Sequence, residues 1–153
     1  MKLAEALILR ADAQRRIEQL RDRLQTSAKV QEGEQPPEKP QDLIEELDRV
    51  SATLLDLIKR INKTNSTVTF SEDVTLSDAL AQRDVLMLMR RVYTSLAEAA
   101  SVGQNRYSRS EIKYYSTVNV AEIQKRVDDL SKQHRELDAR IQEANWNTEL
   151  VEG

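Results

Sequence analysis

The chain has 153 residues, of which 32% are charged and 39% hydrophobic. Its formal net charge of -3 gives no overall electrostatic case for nucleic-acid binding. It has no cysteine, which excludes disulfides, thiol chemistry and zinc–thiolate sites and suits a cytoplasmic location. The length implies a single helical domain over residues 1–153. Three glycines, three prolines and an aromatic content of 4% favour long helices with few connections.

The first expected helix covers Leu3 to about Ser27. Leu3, Ala6, Arg10, Ala13, Ile17, Leu20 and Leu24 alternate by three and four residues, the spacing of a heptad seam. Leu7 and Ile8 widen its apolar face. Glu5 and Arg10 break the initial apolar run short of a signal-peptide core, and no stretch approaches the ~18 apolar residues of a membrane span. Gly33, Pro36, Pro37 and Pro40 lie among polar residues, so 29–41 reads as a flexible linker.

A second helix begins near Pro40, because proline is favoured in a first helical turn. Leu43, Leu47, Val50, Leu54, Leu57 and Ile61 form its seam, and Ile44, Leu55 and Ile58 add a second apolar flank. Two flanks allow more than one neighbour, which points to a bundle or to self-association of hairpins. The helix runs out in Ile61 to Thr67, where asparagine, serine and threonine compete for the backbone. Thr67 to Phe70 alternates like a short strand, with a turn at Ser71, Glu72 and Asp73.

A third helix is expected from about Leu76, with Thr75 and Asp78 in capping-box spacing. Leu76, Leu80, Leu86, Met87, Tyr93, Leu96, Ala97 and Ala100 mark its core face. Residues 102–118 form a polar connection. Within it, Arg106 to Val118 reads as extended and is a candidate partner for the strand at Thr67 to Phe70. The final helix spans roughly Val120 to Asn145. Asn119 and Glu122 have capping-box spacing, and Val118 and Ile123 can staple its start. Ile123, Val127, Leu130, His134, Leu137, Ile141 and Ala144 form the most sustained seam in the chain. Trp146 is placed to seal the end of the bundle, and the residues after it are expected to fray. The expected fold is therefore all-α: an antiparallel long-helix hairpin bundle of four main helices, with a small two-stranded ribbon.

The chemical motifs are sparse. There is no His-Glu-x-x-His, no repeated Glu-x-x-His and no phosphate-cradling glycine loop, so no metal or cofactor is assigned. His134 is the sole histidine, a side-chain type suited to proton transfer, which makes it a candidate acid or base, against a satisfied core position. Arg83, Arg106 and Arg109 are the candidates for an anion, nucleotide or nucleic-acid site, because guanidinium forks match phosphate and carboxylate. Nearby acids offer them internal salt bridges instead. A hydrolytic site using Asp84, Glu111 or His134 is a weaker alternative to a non-enzymatic role. No convincing nucleic-acid or membrane signal emerges.

Two stretches carry a resemblance. They are Ile61-Asn62-Lys63-Thr64-Asn65 together with Thr75 to Asp84, and a run from Arg106 to Trp146 that includes Arg106-Tyr107-Ser108-Arg109-Ser110-Glu111 and Ile141-Gln142-Glu143-Ala144-Asn145-Trp146. In these the chain resembles a bacterial family of small helical proteins of uncharacterised function, sometimes labelled septicolysin. The resemblance implies an all-helical fold and nominates Asn62, Thr64, Asn65, Arg83, Asp84, Arg106, Arg109, Glu111 and Trp146 as family-like junction positions. The label suggests a membrane-active cytolysin, and it transfers no catalytic residue. The leading functional expectation is a cytoplasmic structural or interaction protein that self-associates.

Overall fold

The computed structural model of the chain describes residues 1–101 and 112–153. The elements are α1 (Leu3–Ser27), α2 (Pro40–Thr67), β1 (Thr69–Ser71), β2 (Val74–Thr75), α3 (Leu76–Ala100) and α4 (Val120–Asn147). The fold is all-α with one small antiparallel ribbon, as the periodicity predicts. The chain divides into two compact units, Met1–Leu76 with Gln142–Gly153, and Ser77–Ile141.

In the first unit α1 and α2 form an antiparallel hairpin. The Arg16 guanidinium meets the Glu46 carboxylate, and Arg23 forks onto Glu38, with its Nε 2.8 Å from Glu38 Oε2. Pro40 opens α2 at a position where its missing N–H would have no helical partner. The seams behave as their spacing requires. Leu3, Ala6 and Leu20 are buried on α1, and Leu43, Leu57 and Ile61 on α2. The broader flanks do not follow. Ile8, Ile44 and Leu55 are exposed, so the second apolar flank of α2 is covered only at Ile58, which is half-buried.

At its C-terminal end α2 gives way to extended backbone at Val68, whose N–H still bonds the Thr64 carbonyl at 2.9 Å. The chain then turns back on itself as β1–β2, with Thr69 opposite Thr75 and Ser71 opposite Val74. Asp73 takes the left-handed turn position at φ 49°, one that aspartate tolerates better than most side chains. The partner of β1 is thus the segment immediately after the turn, a short-range pairing with little loop-closure cost. The stretch from Arg106 to Val118, the partner expected from alternation, is described only in part. The described part of that stretch, 112–118, contains no strand, and residues 102–111 lie outside the described residues.

The second unit is an antiparallel pairing of α3 with α4. Arg83 Nη1 lies 2.7 Å from Asp138 Oδ1, and the Arg126 guanidinium sits 4.8 Å from the centre of the Tyr93 ring. Asn119 Oδ1 accepts the Glu122 N–H at 3.2 Å, one half of the capping box predicted for α4. The α4 seam is inward: Val127, Leu130, Leu137 and Ile141 are buried, while Ile123, His134 and Ala144 are half-buried.

Candidate functional site

The polar feature with the most internal organisation is at the C-terminal end of α2. Thr64 continues the heptad seam of that helix one step past Ile61, so its side chain points into the interior, and it is fully buried. A buried hydroxyl must be bonded to be tolerated. Thr64 Oγ1 donates to the Arg60 carbonyl at 2.7 Å and accepts the Val151 N–H at 3.0 Å. One turn earlier, Arg60 Nε donates to the Val151 carbonyl at 3.1 Å. Two side chains on one helix face therefore hold both polar groups of a single residue in the C-terminal tail.

Other bonds pin the same tail. The Leu3 N–H bonds the Thr148 carbonyl at 2.8 Å, and the Leu150 N–H bonds the Met1 carbonyl at 2.8 Å. Lys2 Nζ lies 2.7 Å from Glu149 Oε1, and Leu150 is buried. The expectation that the last residues fray is therefore corrected: backbone pairing and an apolar anchor overcome the end-fraying entropy. Trp146 is also corrected. It is 53% exposed and does not seal the interior; Leu150 is the buried side chain of this segment.

Hydrogen bonds from Lys2 and from the N-terminal ammonium hold the Glu149 carboxyl below the usual carboxylate range, and the hydrogen bond from Arg23 does the same for Glu38. A carboxyl lowered by folding stabilises the native state above its unfolded pKa, about 4. That contribution is lost as pH falls through the lowered folded value. Acidification from neutral to below about pH 4 is therefore expected to reduce hydrogen-exchange protection at the Leu3 and Leu150 amides before the α4 amides respond. Protection that stays uniform across that range would contradict the assignment.

The sequence-nominated residues are distributed over both units and the stretch outside the described residues. Asn62 is exposed, Thr64 is buried in the tail latch, and Asn65 is half-buried. Arg83 is committed to Asp138 rather than to the acids near it in sequence. Asp84 is exposed, and His134 is half-buried on the α4 seam with no hydrogen bond among the described residues. Arg106, Arg109 and Glu111 lie outside the described residues. Among the described residues no group of three or more His, Cys, Asp or Glu is placed to hold a metal ion. No helix among them is long and apolar enough to cross a membrane.

Two features escaped the residue-by-residue reading. One is the Arg60–Thr64–Val151 latch, whose only trace in sequence is a threonine at the next seam position after Ile61. The other is on α3. Val85, Leu88 and Val92 are 52%, 56% and 65% exposed, on the side of the helix opposite Ala79, Leu86 and Ala97. Their spacing is that of a seam, and it was legible in the sequence.

A family model described as a family of unknown function, DUF6847, matches residues 10–150. The chain belongs to the DUF6847 family. As a DUF6847 member it is similar to a functionally unknown conserved protein from Corynebacterium diphtheriae of known crystal structure, with 49% identity, 99% of each chain covered and a TM-score of 0.94. No curated protein matches the chain. The expected membership of a small helical family of unknown function holds for DUF6847, and nothing in these similarities supports the septicolysin label.

Proposed function

We propose that this DUF6847 protein is a cytoplasmic structural or interaction protein that works as a homo-oligomer through its helix faces. The observation that carries the reading is the exposed aliphatic stripe on α3, formed by Val85, Leu88 and Val92. Isolated exposed apolar residues are ordinary, but successive turns of one helix presenting them along one line favour a partner surface. The polar residues support this reading in a negative way. Thr64 and Arg60 serve the C-terminal tail, and Arg83 serves Asp138, so each of these groups has a structural partner inside the chain. The absence of cysteine accords with a reducing compartment.

Size-exclusion chromatography with light scattering tests the reading over a range of concentrations. The expected result is a mass that is a multiple of the 17.6 kDa chain and falls on dilution. A 17.6 kDa species at every concentration up to the millimolar range would refute it.

A further inference from the structure

We infer that the exposed face of α3 pairs with the same face of a second copy, antiparallel, in one register chosen by charge and by overlap of the large aliphatic groups. This rests on the homo-oligomer reading and adds to it the face, the orientation and the alignment.

The argument begins with spacing. Ala81, Val85, Leu88, Val92, Ser95 and Ala99 follow one another at intervals of four and three along α3 and share one side of the helix. The large members, Val85, Leu88 and Val92, are exposed, so the seam is left uncovered by the described residues. A seam with large aliphatic groups at its centre and small residues at its ends suits close approach of a second helix.

Charge then selects the arrangement. The residues flanking the seam on one side are Asp84, Arg91 and Glu98; on the other side they are Gln82, Met89 and Leu96. Asp84, Arg91 and Glu98 are exposed, and neither Asp84 nor Arg91 has a salt bridge among the described residues. In a parallel pairing each flanking charge would face the uncharged flank of the second helix, with nothing to choose between registers. In an antiparallel pairing the charged flanks face each other. Setting Val85 opposite Leu88 of the second copy, and Ala81 opposite its Val92, brings Asp84 against Arg91 of the second copy. Two-fold symmetry repeats each of these contacts. Sliding by one heptad towards the C-terminal end would instead set Arg91 against Arg91 and Asp84 against Glu98, like charge against like. Sliding the other way sets Asp84 against Asp84. Sliding by two heptads towards the C-terminal end would pair Arg91 with Glu98, but it sets Leu88 against Ala99 and Val92 against Ser95 and so gives up the large-on-large apolar contacts. Opposite flanking charges together with overlap of the large aliphatic groups fix register and orientation, and like charges exclude the two neighbouring registers.

The pair cannot form within one chain. Asp84 and Arg91 are seven residues apart on the same helix, which separates them by about 10 Å along its axis. Their complementarity is therefore available only to a second molecule.

The test is sedimentation equilibrium on the full chain and on surface variants, each checked by circular dichroism for native helix content. Leu88→Asp is expected to weaken dimerisation by on the order of 100-fold, because the symmetric interface buries the introduced charge twice. Asp84→Arg and Arg91→Asp are each expected to weaken it by about tenfold, more at low salt, and the double variant is expected to recover it. Recovery by the double reversal is the result that a generic hydrophobic patch would not give. An oligomer that is indifferent to Leu88→Asp overturns the α3 face while leaving the homo-oligomer reading intact. Loss with Leu88→Asp but no rescue by the double reversal overturns the antiparallel register. A wild-type chain that stays monomeric overturns both readings.

Discussion

Ile61→Ala is expected to lower the stability of the first unit by about 2–5 kcal/mol, the range for truncating a fully buried aliphatic side chain. Ile61 has no exposed surface and lies on the α2 seam between Leu57 and Thr64, both also buried. The substitution removes transfer free energy and leaves a cavity that packed helices close only in part. The position also lies one turn from the latch on the C-terminal tail, so relaxation into the cavity would shift the helix face that carries Arg60 and Thr64. Urea denaturation should show a lower midpoint with an unchanged slope. A loss below about 1 kcal/mol would mean that the α2 seam is not packed as described.

Thr64→Val isolates the latch from the packing around it. Valine has nearly the shape of threonine, so the apolar volume is kept while the hydroxyl is lost. The Arg60 carbonyl gives up an accessory bond, but the Val151 N–H gives up the acceptor found 3.0 Å away. Leaving a partly buried donor unsatisfied costs about 1–3 kcal/mol. The tail has a cheaper escape, which is to detach and meet water, and detachment would also expose the buried Leu150. Hydrogen exchange should therefore show lost protection at Val151 and Leu150, with the α3–α4 amides unchanged. Unaltered protection at both positions would show that Arg60 and the terminal backbone bonds hold the tail without Thr64.

The helices were legible because their seams are regular. Leu43 through Ile61 and Ile123 through Ala144 repeat at intervals that only a helix can place on one side, and the structure buries or half-buries every seam member named there. The starts were legible where local chemistry marks them, at Pro40 and Asn119. Contacts between distant segments were not. Neither Thr64 nor Val151 carries a pattern that announces the other, and the composition of the last residues resembles any polar terminus. The partner found for β1 is the segment just past its own turn, a pairing of low loop-closure cost, whereas alternation in the sequence also offered the segment after Arg106.

The site residues were less legible than the fold. Arginines invite an anion, yet Arg83 is satisfied by Asp138, a residue 55 positions away that sequence proximity did not suggest. The α3 stripe was present in the letters but hidden by abundance. The helix carries apolar residues on two opposite sides, and a search for one core face takes the richer side and passes over the other. Which side faces inward is settled by packing, as the burial of Leu86 and the exposure of Leu88 demonstrate.

Membership of DUF6847 fixes a family without fixing an activity, so the physical claim to test is association through α3. The most direct measurement is the equilibrium mass of the Asp84→Arg and Arg91→Asp variants, singly and combined, at low ionic strength. The reading predicts a wild-type mass near twice 17.6 kDa, single variants shifted towards 17.6 kDa, and a combined variant restored to the wild-type value. Four identical masses, or a combined variant that is no more associated than either single one, would contradict it.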